Sequence, residues 1–171
     1  YQTNTIYTAT FGRGIWKSPL PCPVYPAYIM QPTDPAVIAN AADINWNYSD
    51  YHIPTGYSLT IDNTTIKMPQ GGRFTISPGG KLIIKNNAKI TNGASNCAYM
   101  WDGIYIQGNT ALPQSPNNST GFYPDQGFLV LENCTLEHAY MAVSVGESTP
   151  SSPSNGGVLK ADNALFLNNR F

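Results

Sequence analysis

Short phrases of alternating apolar and polar residues recur along the second half of the chain. Residues 128–138 align without a gap on residues 158–168, with small or apolar residues at the same places. The same phrase recurs at 58–66, and at 81–90 with one extra residue, and we interpret 103–107 as a fifth, degenerate copy. Alternation with period two is typical of β-strands. The chain therefore carries an internal repeat of strand phrases.

The spacing of the copies predicts how the strands are arranged. Successive copies begin 23, 22, 25 and 30 residues apart, at Leu59, Leu82, Ile104, Leu129 and Leu159. A further apolar phrase at 74–76, and another at 143–145, predict a third strand per repeat. Repeats of this length are typical of solenoids in which each repeat contacts only its neighbours. We predict an all-β fold, a parallel β-helix of about five coils over residues 55–171, and we expect it to continue beyond this chain.

An asparagine follows the first apolar residue by four positions in four of the copies, at Asn63, Asn86, Asn133 and Asn163. Asparagine tolerates the left-handed backbone region, and its amide can bond to the same amide one coil away. The pattern predicts a structural ladder of buried, hydrogen-bonded asparagines at one bend. Gly108 takes this place in the Ile104 copy, so we expect the ladder to be interrupted there, with Asn109 as a candidate substitute.

The alternation also assigns residues to the two faces of the strands. The predicted core consists of Leu59, Ile61, Ile66, Phe74, Ile76, Leu82, Ile84, Ile90, Ile104, Ile106, Leu129, Leu131, Leu136, Val143, Val145, Leu159 and Phe166. The outward column contains Thr60, Ile83, Tyr105, Val130 and Lys160. Because several of its members are apolar, we expect residues 108–126, residues 20–45 or another chain to cover it.

The first 20 residues do not follow the repeat. A strand at 6–10, a glycine-containing turn at 11–14 and a returning strand at 15–17 predict a β-hairpin. Residues 7–16, with their glycine-arginine-glycine turn, resemble the closing blade of sortilin-like and xyloglucanase-like β-propellers. The resemblance implies that residues 1–20 end an upstream propeller-like domain, and it carries over no catalytic residue.

Residues 21–54 are predicted to be a linker and cap. Seven prolines lie between residues 19 and 54, and proline at this density holds a chain extended and out of regular sheet. The aromatic residues between 46 and 57 are candidates to cap the open end of the helix, as terminal repeats in such arrays must.

Three phrases of the second half, at 79–84, 100–109 and 155–170, resemble the right-handed β-helix segments of very large secreted surface proteins of the Bacteroidota. Such proteins often place this segment after repeats or a propeller, and usually end in a sorting domain read by the type IX secretion system. The resemblance covers roughly residues 55–171. It implies a right-handed helix in a secreted, extracellular or cell-surface protein, although the sorting domain itself is missing from this sequence.

Composition narrows the range of functions. Charged residues make up 11% of the chain and the net charge is −1, which leaves no basic patch for nucleic acid and no polybasic membrane anchor. No apolar run is long enough to span a bilayer. The three cysteines argue against a disulfide scaffold, with Cys97 and Cys134 predicted in the core. A bridge between Cys22 and Cys97 stays an open alternative.

Two constellations are candidate sites. Asp62, Glu132 and Asp162 share a predicted column with Lys85 and Gln107. The pair Glu132 and Asp162 resembles the acidic rim where pectate-lyase-like helices hold calcium, but calcium needs six to eight oxygen ligands, so a solvated corner is the favoured interpretation.

The second candidate site is aromatic. It consists of Tyr99, Trp101 and Tyr105, which form either a stacking platform for the sugar rings of a glycan or a cluster packed under a loop. We favour packing, because aromatic residues near strands are mostly buried.

The sequence thus predicts a structural module that spaces or presents other domains of the same polypeptide or other surface proteins. Adhesion and glycan contact are added candidate roles, and we expect no catalytic residues and no cofactor. The alternative is a carbohydrate-binding or polysaccharide-degrading β-helix, a lyase or hydrolase. Two or more acids with an arginine or lysine on one exposed sheet would favour that alternative, and no strand phrase supplies them.

Overall fold

The computed structural model describes residues 5–10, 14–19, 23–93, 99–117, 121–146 and 154–171. All regular secondary structure in these ranges is β-structure, in 15 strands. No helix long and apolar enough to cross a membrane is found among the described residues. The chain is therefore an all-β protein, and within these ranges every strand pair except one is parallel.

The antiparallel pair is an N-terminal hairpin. Strand β1 (Thr5–Thr10) pairs with β2 (Gly14–Pro19), so that Thr10 lies opposite Gly14 and Thr5 opposite Pro19. This confirms the hairpin predicted from the glycine-containing turn. Residues 11–13 of that turn lie outside the described residues.

The other strands form two parallel sheets. In chain order they are β3 (Ala27–Ile29), β4 (Val37–Ala39), β5 (Ile44–Asn45), β6 (Asp50–Ile53), β7 (Ser58–Asp62), β8 (Thr65–Met68), β9 (Arg73–Ile76), β10 (Lys81–Lys85), β11 (Lys89–Asn92), β12 (Trp101–Ile106), β13 (Phe128–Glu137), β14 (Ala139–Val145) and β15 (Val158–Leu167). Sheet 1 has the order β3-β6-β9-β12-β14. Sheet 2 contains the remaining parallel strands and has two arms. The first arm consists of β4, β7, β10 and the first halves of β13 and β15, and the second arm of β5, β8, β11 and the second halves of β13 and β15. The arms meet where the repeat phrase bends.

The register of sheet 2 follows the repeat. Leu59, Leu82, Leu129 and Leu159 are successive partners across β7, β10, β13 and β15. In the second arm, Ile66 lies beside Ile90 and Ile90 beside Leu136. Because like residues stack on like, each apolar column is continuous from strand to strand. The alignment of these four copies therefore predicts the strand pairing correctly.

The interpretation of residues 103–107 as a fifth copy of the repeat phrase is wrong. Ile104 pairs with Phe74 on β9 and with Val143 on β14, so residues 103–107 belong to sheet 1. Period-two alternation looks the same in both sheets and does not say to which sheet a phrase belongs. Strand β10 pairs directly with β13, and the intervening residues form β11, β12 and a long loop.

Three assignments change with this correction. Tyr105 leaves the outward column of Thr60, and Gln107 leaves the acidic column, because both lie on the sheet 1 side of the chain. Gly108 is likewise not the equivalent of the bend asparagines. The remaining outward column is covered in part, since Val130 is buried and Ile83 half-buried. Tyr123 from the loop packs on Phe128, two residues before Val130, with ring centroids 4.7 Å apart.

The parallel sheets begin inside the stretch that composition assigns to a linker and cap. Strands β3, β4 and β5 pair in parallel with β6, β7 and β8. Pro26 immediately precedes β3, and Pro32 and Pro35 lie between β3 and β4, where a missing N–H costs no ladder hydrogen bond. At the end of the core, where the sequence predicts an aromatic cap, Trp46 packs on Tyr51 at 4.9 Å and on Phe74 at 5.6 Å between ring centroids.

Most of the predicted core residues are fully buried. The exceptions are Val143, which is half-buried, and Val145, Leu159 and Phe166, which are 40–47% exposed. These four residues continue the inward columns, but they lie on β14 and β15 at one end of both sheets. Among the described residues no strand lies over them, so the position in the column is as predicted and the burial is not.

Candidate functional site

A groove of about 450 Å³ runs over the outer face of sheet 1. Its lining comes from β6, β9, β12, β14 and the residues that follow them, and consists of Asp50, His52, Arg73, Thr75, Tyr105, Gln107, Met141, Ser144 and Gly146. The inward neighbours Ile53, Phe74 and Ile104 are fully buried in the core. Strand alternation thus fixes the groove residues on a rigid, hydrogen-bonded sheet.

An ion pair forms one side of the groove. Asp50 and Arg73 are partners on β6 and β9, and both Nε and Nη2 of Arg73 lie 2.8 Å from Oδ2 of Asp50. Thr75 donates its hydroxyl to the other carboxylate oxygen at 2.8 Å. The guanidinium also lies 5.4 Å from the centre of the Tyr105 ring, within cation–π range. The Arg73 side chain is thereby held while 42% of it stays exposed.

A hydrogen-bonded chain forms the second side. His52 Nε2 lies 2.6 Å from the hydroxyl of Ser77, which donates to Oε1 of Gln107 at 3.3 Å. Since a serine hydroxyl has a single proton, the bond to Gln107 requires that His52 donates from Nε2. These hydrogen bonds link the C-terminal ends of the neighbouring strands β6, β9 and β12, and they fix the orientation of the imidazole, which lines the groove.

Asp102 adds a second acid beside this ion pair. Gly103 has φ of 125°, and a Cβ there would clash with the carbonyl oxygen of Met141. The pairing of β12 with β14 shifts register at this point. Burial raises the pKa of the Asp102 carboxyl, the nearby charge of Arg73 opposes that rise, and the charge of Asp50 adds to it. Burial, followed by the charge of Asp102, raises the pKa of Tyr105 as well.

Two acids and an arginine therefore meet on one face of sheet 1, which is the constellation that the strand phrases do not reveal. Asp50 lies in the stretch assigned to the linker, and Asp102 precedes the phrase assigned to the wrong sheet. A signal was present nonetheless: residues 50–54, 73–77 and 103–107 align without gaps and place the polar residues of the groove in common columns. The spacing of 23 and then 30 residues matches that of other copies.

The three aromatic candidates do not form a stacking platform. Trp101 is fully buried, and its Nε1 donates to the carbonyl of Glu137 at 2.8 Å. Tyr99 is 61% exposed outside the groove, and Tyr105 is half-buried within it. Trp101 and Tyr105 lie on opposite sides of the irregular backbone at Gly103, so one faces the core and the other the groove. Of the three, only Tyr105 lines the groove.

Two of the three acids in the acidic column of sheet 2 form ion pairs with lysines. Glu132 is the partner of Asp162, but Lys160 Nζ lies 3.4 Å from Glu132 Oε1. One step along the column, Lys85 Nζ lies 3.4 Å from Asp62 Oδ2. Within the described ranges no three acidic, histidine or cysteine side chains converge as metal ligands. The geometry therefore gives the calcium hypothesis no support beyond the two carboxylates named by the sequence.

The predicted asparagine bend is present in the backbone. The φ angles of Asn63, Asn86, Asn133 and Asn163 are 45°, 56°, 49° and 48°. All four side chains are exposed, so the expected burial is wrong. The bend lies between the two arms of sheet 2, and the side chains stand on its solvent side.

The amides of this column bond in pairs and do not form a continuous ladder. Asn63 donates to Asn40 at 2.8 Å, and Asn163 donates to Asn133 at 2.6 Å. Asn86 instead donates to Asp62 at 2.8 Å. The interruption comes from the extra residue Asn87, whose backbone N–H bonds to the carbonyl of Asn133. It lies one repeat earlier than the position predicted at Gly108.

The described thiol is inert. Cys134 is buried, and burial raises its pKa to about 11, so the nucleophilic thiolate is scarce at neutral pH. Cys22 and Cys97 lie outside the described residues, so the core position of Cys97 stays a prediction and the Cys22–Cys97 bridge stays an open alternative.

The loop between β12 and β13 is anchored by a buried glutamine. The side chain of Gln126 is fully buried, accepts from the backbone N–H of Asn109 at 2.9 Å, and donates to the carbonyls of Asn109 and Leu112 at 3.0 and 3.1 Å. These three bonds use both N–H donors of the amide group and one acceptor position of its oxygen. The loop is thus fixed beside the end of the groove where Gln107 lies.

No family model matches the chain, and comparisons with curated proteins and with solved structures found no similar protein. The class that the structure defines is an all-β protein with parallel sheets and a polar groove on one of them.

Proposed function

We propose that residues 27–171 form a segment of a right-handed parallel β-helix that acts as a structural module of a secreted or cell-surface protein. The module spaces or presents other domains of the same polypeptide or other surface proteins. One observation carries this proposal: the apolar columns stay in register through successive parallel strands, from Leu59 through Leu82 and Leu129 to Leu159.

The order of the strands supports the solenoid. The chain passes from sheet 1 to the first arm of sheet 2, then to the second arm, and begins again: β3-β4-β5, β6-β7-β8, β9-β10-β11, β12-β13 and β14-β15. In the last two levels one long strand serves both arms. Parallel crossover connections are nearly always right-handed, which favours the right-handed form.

Such a stack suits a spacer. Each inner level bonds through its backbone to the level before and the level after, and the core runs through all of them without a break. Adding a level lengthens the module by about one strand spacing, ~4.8 Å, without a new fold. Two of the three acids in the acidic column are paired with lysines, Asp62 with Lys85 and Glu132 with Lys160.

The secreted location rests on the resemblance to Bacteroidota surface proteins. The intact gene tests it: a type IX sorting domain downstream and propeller repeats upstream would support the proposal. A reading frame that fuses these residues to a cytoplasmic enzyme would contradict it.

A distance measurement tests the stack. Val37, Thr60, Ile83, Val130 and Lys160 are successive partners, so the first and last are separated by four strand spacings, roughly 19 Å. Spin labels are attached at Val37→Cys and Lys160→Cys in a chain whose native cysteines are replaced. Double electron–electron resonance is expected to give a narrow distribution of label-to-label distances near this value. A broad distribution, or a centre at twice this distance, would contradict the solenoid.

A polysaccharide-degrading enzyme is the second candidate, because Asp50, Asp102 and Arg73 share one sheet face. Chain breakage would be measured as new reducing ends, and lyase action as absorbance of an unsaturated product, on a panel of neutral and acidic polysaccharides. Loss of turnover in Asp102→Asn, with folding intact, would assign the reaction to the groove. Absence of turnover on the whole panel would favour the structural module.

A further inference from the structure

We propose that the groove on sheet 1 binds a neutral saccharide chain, with Asp50, Arg73 and His52 bonding its hydroxyls and Tyr105 contacting its ring faces. The inference takes its ligand class from the second candidate above, but assigns recognition and not turnover to the groove. It does not depend on the module being a spacer.

The groove has the shape of a site for a linear ligand. His52, Thr75, Tyr105 and Ser144 stand side by side in one row across four neighbouring strands. At ~4.8 Å per strand the row spans about 14 Å, which accommodates a short run of linked sugar rings. Because the row is perpendicular to the strands, a ligand lying along it would contact every level in turn.

The polar groups match hydroxyls better than ions. Asp50 only accepts and Arg73 only donates, so side by side they satisfy both functions of neighbouring hydroxyl groups. The two charges neutralise each other at 2.8 Å. An anionic ligand would meet the like charge of Asp50, with that of Asp102 nearby, and a cationic one would meet Arg73. Arg73 has five N–H donors, of which the contacts with Asp50 involve two nitrogens, so donors remain for a ligand.

Tyr105 supplies the apolar contact. Its ring is half-buried among polar side chains, and Arg73 lies over one face at 5.4 Å. Because Tyr105 lines the groove, part of its ring is accessible to a ligand there. An aromatic ring bordered by hydrogen-bonding groups suits a sugar, which has C–H faces and hydroxyl edges.

The fixed ion pair favours recognition over catalysis. Both oxygens of Asp50 accept hydrogen bonds within the protein, Oδ2 from Arg73 and Oδ1 from Thr75. A general base must be free to take a proton from the substrate. The three bonds from Arg73 and Thr75 instead fix the Asp50 carboxylate in place and leave about one acceptor position for a ligand hydroxyl. Preorganisation of this kind lowers the entropic cost of binding, since the side chains are ordered before the ligand arrives.

The test is binding of neutral oligosaccharides to the full chain. Cello-, manno- and xylo-oligosaccharides are titrated by isothermal calorimetry and by saturation-transfer NMR, with oligogalacturonate as the anionic comparison. We expect at least one neutral probe to bind and oligogalacturonate to bind more weakly or not at all. No binding by any neutral probe, or tighter binding of oligogalacturonate, would overturn the proposal.

Variants locate the site. Tyr105→Ala is expected to weaken binding about tenfold, because it removes the ring contact. Tyr99→Ala is the matched control, since Tyr99 is exposed outside the groove and its loss should leave affinity unchanged. Arg73→Lys keeps the charge but loses the planar donor fork, and is expected to weaken binding with the fold preserved. Circular dichroism checks the fold of each variant.

The outcomes separate the proposals. Equal losses in Tyr105→Ala and Tyr99→Ala would overturn the groove as the binding site. Release of new reducing ends from a bound probe would overturn recognition without turnover. Neither result alters the distance between Val37 and Lys160, which tests the structural module alone.

Discussion

The bend of sheet 2 and the outer face of sheet 1 are both made from positions that recur once per level, but they use recurrence differently. At the bend, the same residue type returns: Asn63, Asn133 and Asn163 all take the left-handed conformation, and their amides bond to neighbours in the column. On sheet 1, the equivalent positions of successive strands hold unlike residues, as in the row from His52 to Ser144.

This difference separates folding from recognition. Stacking favours a column of like residues, because each level then offers the same contact surface to the level before it and to the level after it. A row of unlike polar residues does nothing for stacking. The bend is therefore a structural feature of the repeat. The groove is the part of the surface where equivalent positions of successive levels carry different side chains.

The largest expected effect sharpens this comparison within the apolar column itself. Leu82→Ala deletes a fully buried side chain between two neighbours and should lower the free energy of unfolding by about 3 kcal/mol. Leu159→Ala makes the same change at the end of the column, where the side chain is 40% exposed, and should cost about 1 kcal/mol or less. Urea denaturation measures both. Equal losses would mean that the column does not end at β15 in solution.

The bend is tested by two changes at one residue. Asn133→Leu forces leucine, which is disfavoured in the left-handed region, to adopt a φ of 49°. This should lower the free energy of unfolding by about 1–2 kcal/mol. Asn133→Gly keeps the conformation accessible and loses only the exposed amide bond to Asn163, so it should cost less. Thermal unfolding compares them. If glycine proves as harmful as leucine, the amide and not the backbone stabilises the bend.

A third pair of variants compares the ion pairs of the two regions. Arg73→Ala leaves Asp50 without its partner in the groove, where the Asp50 side chain is 20% exposed, and should cost about 1 kcal/mol. Lys85→Ala breaks the 3.4 Å contact with Asp62 at the corner, and should cost at most about 0.5 kcal/mol. Denaturation in low and high salt checks both values. A larger loss for Lys85→Ala would show that the corner is the more constrained of the two.

The repeat made the fold of sheet 2 predictable, and the same repeat hid the groove. Four phrases could be aligned because their apolar residues and their asparagine recur together, and the pairing of Leu82 with Leu129 follows from that alignment. The phrase at Ile104 carries the same alternation without the asparagine. The missing asparagine is the local sign that this phrase belongs to sheet 1, and neither alternation nor spacing reveals it.

The site was harder to predict, because its chemistry is divided among the strands. Asp50, Arg73 and Asp102 are ordinary surface residues in their own segments, and they meet only when the levels stack. The proline-rich composition around residues 19–35 also obscured β3 to β5, since composition reports the turns and not the short strands between them. Burial of the asparagines was mispredicted for a related reason: a bend between two arms turns its side chains outward.

The smallest expected effects come from two acids whose environments are opposite. Burial raises the pKa of Asp102, on β12 beside the groove, above its ordinary 3.8. Burial also disfavours the charge of Glu137 on β13, but the hydrogen bond from Lys89, with help from Thr91, outweighs it and lowers the pKa below 4.5. Lys89 Nζ lies 2.9 Å from Glu137 Oε1. Folding therefore disfavours the charged form of Asp102 and favours the charged form of Glu137.

The two acids should give opposite signs as pH changes. A raised pKa in the folded state means that ionisation above about 3.8 costs stability, so Asp102→Asn should be more stable than the native chain at pH 7 and equal to it in acid. A lowered pKa means the reverse, so Glu137→Gln should be less stable at pH 7, with the difference vanishing as pH falls through the folded pKa. Unfolding midpoints from neutral pH into acid measure both. If Asp102→Asn is destabilised at pH 7, the carboxylate has a stabilising partner in the groove, and the comparison between the two regions fails at that residue.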